Sequence, residues 1–236
     1  MYRTVHAQPC SVRREAVSGD NMSAIGIDLG GTKIETQVFD DTWMVVDRQR
    51  CETPKNYADL VDTVSDQIRW GMEQAGKDVP VGIGAAGLIN PVDGMALTAN
   101  LPATGQPFPA DIADTIGRPV TYVNDCRALA LSEAVFGLGK GHHTVMALIL
   151  GTGVGGGICV GGRILQGPTH TGGEFGHTSA PAHLVQEHAL PVVQCGCGRM
   201  GCIETYIAGP GLSRLAKHVT GQDVSPVDIA AQRKGA

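Results

Sequence analysis

Hydrophobic residues recur along this chain at two spacings, one typical of β-strands and one typical of α-helices. Apolar runs at Ala24–Leu29, Ile34–Phe39 and Trp43–Val46 predict three strands, and a glycine turn joins the first two as a hairpin. Asn56 then predicts a helix start, because its side chain can accept a hydrogen bond from the first helical turn. Helical spacing gives this helix one apolar face, formed by Val61, Val64, Ile68 and Met72.

Strands and helices continue to alternate towards the end of the sequence. The predicted elements are a strand at Val81–Ala85, a helix at Phe108–Ile116, a buried strand at Val120–Val123, a helix at Asp125–Phe136, a strand at Val145–Leu150 and helices from Gly209 onward. This mixture predicts the α/β class. A boundary near Asn124 predicts an N-terminal lobe, 23–123, and a C-terminal lobe, 124–236. Residues 1–22 lack the apolar segment of a secretory signal, so we expect a disordered extension on a cytoplasmic protein, with Met22 as an alternative start.

The composition predicts a folded chain and argues against two classes of partner. Hydrophobic residues make up 42% of the 236 residues and charged residues 17%, which is enough for a core. Aromatic residues are only 4% and the net charge is −5, so neither a base-stacking surface nor a basic patch for nucleic acid is expected. The long uncharged stretch Gly141–Gly162 is interrupted by glycines and histidines, so no membrane span is expected either.

Three of the seven cysteines are crowded into the pattern C-x-C-x4-C, at Cys195, Cys197 and Cys202. An odd cysteine count without a secretory signal argues against a disulfide framework, and clustered thiolates favour a four-coordinate zinc site. The alternative is a group of free thiols. The fourth ligand has four candidates that spacing alone does not separate, namely His170, His177, His183 and His188.

Two glycine-rich loops follow strands, at Asp28–Lys33 and Gly151–Gly157. Glycine lets backbone N–H groups converge on an anion, so both loops predict phosphate contacts, although either could be a plain tight hairpin. A dinucleotide-binding interpretation of the second loop fails because a strand and turn, not a helix, follow it. The residues assigned to phosphate are Asp28, Gly30, Gly31, Thr32 and Lys33 in the first loop, and Gly151, Thr152, Gly153, Val154, Gly155 and Gly156 in the second.

The ordered set of motifs resembles the ROK (repressor, ORF, kinase) family. The matching segments are Ile27–Lys33, Asn100–Pro102, Asn124-Asp125, Gly151–Gly157, Glu174–His177, Cys195–Gly198 and Gly201–Glu204. The resemblance implies a two-lobed actin-like ATPase or sugar-kinase fold, related to ribonuclease H, with a zinc-binding loop. The family's later adenosine loop and closing helices have no counterpart here, so we expect an incomplete second lobe and weakened ATP binding.

The resemblance also assigns roles to individual residues. Asp125 is implied to be the general base of phosphoryl transfer, whereas the residues alone would equally allow it to be a helix cap. The implied sugar-binding residues are Asn100, Asn124, Asp125, Glu174, His177 and Glu204. His177 is implied as the fourth ligand of a structural zinc, with its second ring nitrogen towards the substrate. Mg²⁺ is implied to arrive with ATP, and Asp28 to order it.

The implied activity is ATP-dependent phosphorylation of a hexose at its 6-hydroxyl, most similar to that of N-acetylglucosamine kinases. Fructokinase, mannokinase or glucokinase activity is the alternative among the kinases of the family. The alternatives from a different functional class are a catalytically impaired sugar-binding fragment and a ROK-type regulator. A homodimer is left open. Arg127 departs from the family, which usually has asparagine there, and is expected to reshape the acceptor pocket or contact phosphate.

Overall fold

The computed structural model describes residues 22–76 and 78–232. Its strands are β1 (Met22–Leu29), β2 (Lys33–Asp40), β3 (Val45–Glu52), β4 (Val81–Ala85), β5 (Leu88–Ile89), β6 (Ala96–Leu97), β7 (Thr121–Asn124), β8 (Thr144–Leu150), β9 (Val154–Val160) and β10 (Arg163–Ile164). Its helices are α1 (Tyr57–Ala75), α2 (Phe108–Ile116), α3 (Asp125–Val135), α4 (Ala182–Glu187), α5 (Glu204–Ile207), α6 (Gly209–Thr220) and α7 (Pro226–Gln232), with a 3-10 turn at Phe175–His177. The α/β class is confirmed.

The chain forms two compact units that are not continuous in sequence. One contains the chain up to Ile83 together with Pro109–Thr121, and the other contains Gly84–Phe108 and the chain from Tyr122 onward. The division into lobes at Asn124 stays a prediction. The extension predicted for residues 1–22 lies outside the described residues, apart from Met22, which begins β1.

The first unit contains the predicted hairpin and the helix that follows it. β1 and β2 pair antiparallel, and β2 pairs with β3 so that Lys33 faces Glu52. The third strand was predicted too early, at Trp43–Val46. Trp43 instead adopts a left-handed backbone in the turn before β3, and the strand extends through a polar stretch that has little hydrophobic signal.

Helix α1 begins where its sequence predicts. The Asn56 side chain accepts a hydrogen bond from the Asp59 backbone N–H at 2.9 Å, and Gly76 ends the helix in the left-handed conformation. The buried face of α1 includes Leu60, Val64 and Ile68, and Ile25 of β1 and Val38 of β2 are also buried. Burial of this face, more than helix propensity, stabilises α1.

Within the described residues, a second sheet consists of three antiparallel strands in the order β10-β9-β8. Helix α3 packs closely on this sheet because β9 is rich in glycine. A Cβ at Gly157 would lie 2.7 Å from the Arg127 Cα and 2.8 Å from the Ala130 Cβ. The start of α3 is therefore held directly against β9.

Five further strands form a sheet in the order β3-β2-β1-β4-β7 within the described residues, and the division between the units passes through β4 and β7. β7 is one residue later than predicted and only half-buried, where a buried strand was expected. None of the helices among the described residues has the length and apolarity needed to cross a bilayer.

Candidate functional site

The first glycine loop, between β1 and β2, lies in the first unit. The Gly30 N–H donates to the Lys33 carbonyl at 2.9 Å, and the Thr53 hydroxyl donates to the Gly30 carbonyl at 2.7 Å. The Lys55 ammonium donates to the Gly31 carbonyl at 3.3 Å. Thr53 and Lys55 lie 23 and 24 residues from the glycines that they contact, so the loop pattern alone gave no signal for them. The predicted phosphate residues Asp28, Thr32 and Lys33 are all exposed.

The second glycine loop, in the other unit, divides into a turn and a strand. Residues 151–153 form the turn, in which the Gly151 N–H donates to the Gly153 carbonyl at 2.9 Å. The Gly209 N–H, at the start of α6, donates to the Gly151 carbonyl at 2.8 Å. The remaining glycines, Gly155–Gly157, lie inside β9.

The glycines of β9 have a packing role that the sequence did not reveal. A Cβ at Gly155 would collide with the Cys126 sulfur, and a Cβ at Gly156 would lie 2.5 Å from the Phe175 ring. Close approach of α3 and of the Phe175–His177 turn therefore requires glycine in this strand. The phosphate role assigned to Gly155 and Gly156 stays a prediction, and packing is sufficient to explain both residues.

Helix α3 is capped by Asn124, which leaves Asp125 as its first residue. The Asn124 side-chain oxygen accepts hydrogen bonds from the backbone N–H groups of Cys126 at 3.1 Å and Arg127 at 3.3 Å. The alternative explanation of Asp125 was that it caps this helix. Asn124 occupies that position, although Asp125 also accepts a bond from the Cys126 N–H at 2.9 Å.

Asn124 also reaches the turn after β4. Its side-chain amide donates to the Gly87 carbonyl at 3.2 Å. Gly87 has a φ of 129°, and a Cβ there would lie 2.6 Å from the Leu97 carbonyl, so only glycine fits. This contact joins the start of α3 to a turn that packs against Leu97, the last residue of β6. Asn100 lies three residues beyond β6 and is exposed.

The Cys126 thiol lies close to two of the predicted site carboxylates. Its pKa is raised to about 12, chiefly by burial, then by the negative charge of Asp125 and by that of Glu174. Arg127, two residues after Asp125 on α3, lies 4.0 Å from a Glu174 carboxylate oxygen, so Asp125 and Glu174 share one region of this unit. The sulfur stays a thiol at neutral pH and is not an active nucleophile.

Glu174 immediately precedes the 3-10 turn that packs on β9, and His177 is the last residue of this turn. One Glu174 carboxylate oxygen, Oε2, lies 3.9 Å from His177 Nε2. The other, Oε1, lies 4.0 Å from Arg127 Nη2. Gly176 is pressed against the Val154 carbonyl with no room for a Cβ, which fixes the turn on the sheet.

The three clustered cysteines and His177 form a compact set, in which the candidate ligand atoms all lie within 4.8 Å of one another. His177 Nδ1 is 3.5 Å from the Cys195 sulfur, and the Cys197 and Cys202 sulfurs are 3.6 Å apart. Tetrahedral zinc, with bonds of about 2.3 Å to sulfur and about 2.0 Å to nitrogen, separates two sulfurs by about 3.8 Å and a sulfur from a nitrogen by about 3.5 Å. The donor set therefore fits zinc in chemistry, and these two distances match those of a tetrahedral site.

Of the four candidate histidines, His177 is the one that joins the cysteines among the described residues. His183 lies on α4 and His188 at the end of that helix. His170 has a left-handed φ of 54°, and its carbonyl accepts from Arg127. Burial raises the pKa of Cys195 to about 12, so binding a metal requires the loss of this proton.

Glu204, at the start of α5, lies between the cysteine cluster and the second glycine hairpin. Its Oε2 accepts from the Val154 backbone N–H at 2.8 Å, and its Oε1 accepts from the Cys195 thiol at 3.3 Å. Glu204 is therefore not the surface carboxylate that its sequence alone would allow. It joins the metal-ligand set to β9, a connection that no sequence pattern predicted.

A cavity of about 590 Å³ adjoins the turn of the second glycine hairpin. It lies beside Gly151 and Thr152 and is walled mainly by apolar residues. The lining residues outside the hairpin turn are Leu150, Ile207, Gly209, Pro210, Leu212, Ser213 and Pro226. This cavity could not be predicted from the sequence, because α6 and α7 approach the hairpin only in the folded chain.

The fold and this site define an α/β protein in which a glycine hairpin, a carboxylate at a helix start and a cysteine–histidine cluster occupy one unit. The sequence profile of the ROK family matches residues 24–235. The chain therefore belongs to the ROK family, as its motifs predicted.

Curated relatives in this family include sugar kinases. The chain is 42% identical over 199 residues to the N-acetylgalactosamine kinase AgaK of Shewanella sp. (strain ANA-3), a match that covers 84% of this chain and 64% of the relative. It is 43% identical over 210 residues to an N-acetyl-D-glucosamine kinase of Yersinia enterocolitica, a match that covers 87% and 69% respectively. The chain thus spans about two thirds of the length of these relatives.

A solved structure gives the same family assignment. The ROK glucokinase from Streptomyces griseus, in complex with glucose and AMPPNP, superposes with a TM-score of 0.66 at 34% identity. The match covers 85% of this chain and 61% of the glucokinase.

Proposed function

We propose that this protein is an ATP-dependent sugar kinase that phosphorylates a hexose at its 6-hydroxyl, with N-acetyl-D-glucosamine as the acceptor. The observation that carries the proposal is the position of Asp125 at the start of α3, in one unit with Glu174, the glycine hairpin and the cysteine–histidine cluster. Relatives named as N-acetyl-D-glucosamine and N-acetylgalactosamine kinases support an N-acetylated hexose. Fructokinase, mannokinase or glucokinase activity, or sugar binding without turnover, remain the alternatives.

In the proposed reaction, the sugar O6 attacks the γ-phosphorus of ATP, the bond from this phosphorus to the β–γ bridging oxygen breaks, and ADP leaves. Asp125 accepts the proton of the 6-hydroxyl, because phosphoryl transfer to an alcohol needs a positioned base. Mg²⁺ bound with ATP would neutralise the charge of its phosphates. Asp28 in the first unit is proposed to order it.

The remaining predicted site residues are proposed to hold the sugar and the nucleotide. Asn100, Asn124, Glu174, His177 and Glu204 offer amide, carboxylate and imidazole groups of the kind that sugar hydroxyls bind. The cavity beside Gly151 and Thr152 has apolar walls suited to a nucleoside, and its position next to the hairpin turn supports a nucleotide there.

Zinc is proposed to be structural and to hold the Cys195–Cys202 segment against His177. The four donor positions are all taken by protein atoms, as in closed structural zinc sites. The clustered free thiols favour a reducing compartment, so a cytoplasmic location is part of the proposal. A homodimer stays open.

The test is phosphorylation of a panel of hexoses with MgATP, followed by phosphorus NMR of the product. Asp125→Asn keeps the size of the side chain but removes the base, so kcat should fall by about 10²–10⁴-fold with sugar affinity retained. Asp223→Asn is the matched control, because Asp223 is exposed in the same unit and pairs with Lys217 at 2.9 Å. Normal turnover in Asp125→Asn would show that another residue is the base. Failure of the unmodified chain to bind any hexose would refute the proposed function.

A further inference from the structure

Arg127, in the first turn of α3, is a buried charged residue that the proposed chemistry does not use. It is 4% exposed. Burial lowers the pKa of its guanidinium, and the negative charge of Glu174 opposes this shift. A buried guanidinium is tolerated only where its N–H groups find acceptors. Its acceptors therefore indicate what Arg127 does.

The Arg127 guanidinium donates to two backbone carbonyls of one segment. Nε donates to the Gly172 carbonyl at 3.0 Å, and Nη2 donates to the His170 carbonyl at 2.6 Å. The planar fork of arginine suits two carbonyls at this spacing, and charge-assisted hydrogen bonds are stronger than neutral ones. Arg127 thus holds residues 170–172 through these two hydrogen bonds, which together are called the clasp below.

The clasped segment runs from the end of β10 to Glu174 and contains no regular helix or strand. It folds back on itself, with the Gly172 N–H donating to the Gln166 carbonyl at 2.8 Å and the Glu174 N–H to the Thr171 carbonyl at 3.2 Å. A Cβ at Gly172 would lie 2.5 Å from the Leu165 carbonyl. Few backbone bonds hold this segment to the sheet, so the clasp has a large share in fixing it.

Glu174 follows directly and lies within reach of the same guanidinium. Its Oε1 is 4.0 Å from Arg127 Nη2, which is too long for a hydrogen bond but close enough for electrostatic attraction. Its Oε2 is 3.9 Å from His177 Nε2. Arg127 therefore acts on Glu174 in two ways, through the backbone that precedes it and through charge.

We propose that Arg127 is a positioning residue of the acceptor site, which fixes residues 170–174 and so aims the Glu174 carboxylate at the hydroxyls of the sugar. This proposal rests on the proposed function. A direct contact of Arg127 with phosphate, the other expectation from the sequence, is disfavoured because Nε and Nη2 both point to carbonyls of this segment.

The test is a double-variant cycle in the full 236-residue chain, with N-acetyl-D-glucosamine affinity measured by calorimetry. The variants are Arg127→Gln, Glu174→Gln and the pair together. Arg127→Gln should weaken sugar binding on the order of tenfold, since it removes two charge-assisted hydrogen bonds that order the site. If Arg127 acts through Glu174, the double variant should bind within about twofold of the weaker single variant.

Two further variants separate positioning from general stability. Arg127→Lys keeps the charge but loses the planar fork, so its sugar affinity should lie between that of the unmodified chain and that of Arg127→Gln. If Arg127→Gln does not fold, Arg127→Lys takes its place in the test. Arg163→Gln is the matched control, because Arg163 is an exposed arginine of the same unit, on β10, and should leave sugar affinity unchanged. The proposal is overturned if the loss of sugar affinity in the double variant equals the product of the losses in the two single variants. It is also overturned if Arg127→Gln weakens ATP binding more than sugar binding.

Hydrogen exchange provides a second measurement that needs no sugar. Backbone amides of residues 170–174 should exchange faster in Arg127→Gln than in the unmodified chain, while Arg163→Gln should match the unmodified chain. Unchanged exchange in this segment overturns the proposal. Absence of sugar binding by the unmodified chain would instead refute the proposed function, and exchange would still decide whether the clasp exists.

Discussion

The contact between α3 and β9 can be tested by adding one methyl group, in the variant Gly157→Ala. The new Cβ would lie 2.7 Å from the Arg127 Cα, 2.8 Å from the Ala130 Cβ and 2.8 Å from the Cys126 carbonyl oxygen. Each distance is about 0.6–0.7 Å shorter than an ordinary van der Waals contact, which begins near 3.4 Å. Two of the three atoms are backbone atoms of a helix, so no side-chain rotation relieves the overlap.

Overpacking of this kind costs about 1–3 kcal/mol, and we expect about 2 kcal/mol here. With a urea dependence of about 2 kcal/mol per molar, the midpoint of unfolding should fall by about 1 M. Sugar affinity should fall as well, because relief of the overlap displaces the start of α3, which carries Asp125.

The matched control is Gly82→Ala in β4, where a Cβ meets nothing within 4 Å and the backbone needs no positive φ. This variant should be as stable as the unmodified chain or more stable by about 0.4–1 kcal/mol, since alanine restricts the unfolded chain. Urea titrations followed by circular dichroism compare both variants. A Gly157→Ala chain with an unchanged midpoint would show that packing does not require the β9 glycine.

Three further results are expected. Elemental analysis of the purified chain should find one zinc. Cys202→Ser should abolish zinc binding, whereas Cys51→Ser, in β3 and outside the cluster, should leave the zinc content unchanged. Leu212→Trp should fill the cavity beside the hairpin turn and weaken ATP binding in calorimetry while sugar binding persists, and equal loss of both would show a general folding defect. Asn56→Ala should lower the free energy of unfolding by about 1 kcal/mol in urea titrations through loss of the α1 cap, and an unchanged value would contradict the capping role.

Elements with local signals were predictable from the sequence, and those that depend on distant partners were not. The bounds of α2 and the start of α1 match their predictions because apolar periodicity and the Asn56 cap act within a few residues. β3 was misplaced because its polar residues take their conformation from pairing with β2. Its hydrophobic pattern is too weak to predict a strand alone.

The same distinction applies to the site. The cysteine spacing predicted a metal-ligand set whose members lie close in sequence, and the structure brings them together with His177. Arg127 was noticed as unusual, but its acceptors lie 43 and 45 residues away, so its target could not be inferred. The packing role of the β9 glycines could not be predicted, because a sequence does not distinguish a glycine that faces a ligand from one that faces a helix, and their assigned phosphate role stays a prediction.

Glu204 shows how this unit connects its metal-ligand set to its glycine hairpin. One carboxylate oxygen accepts from the thiol of Cys195, and the other accepts from the N–H of Val154, the first residue of β9. A Cβ at Gly153 would lie 2.6 Å from the latter oxygen, so the carboxylate lies directly against the end of the hairpin turn. Any shift of the cysteine segment must therefore move Glu204 or break its bond to β9. A metal at the cysteines requires the Cys195 thiolate, which has no proton to donate to Glu204, so it would steady the hairpin turn through Cys202, which precedes Glu204 by two residues.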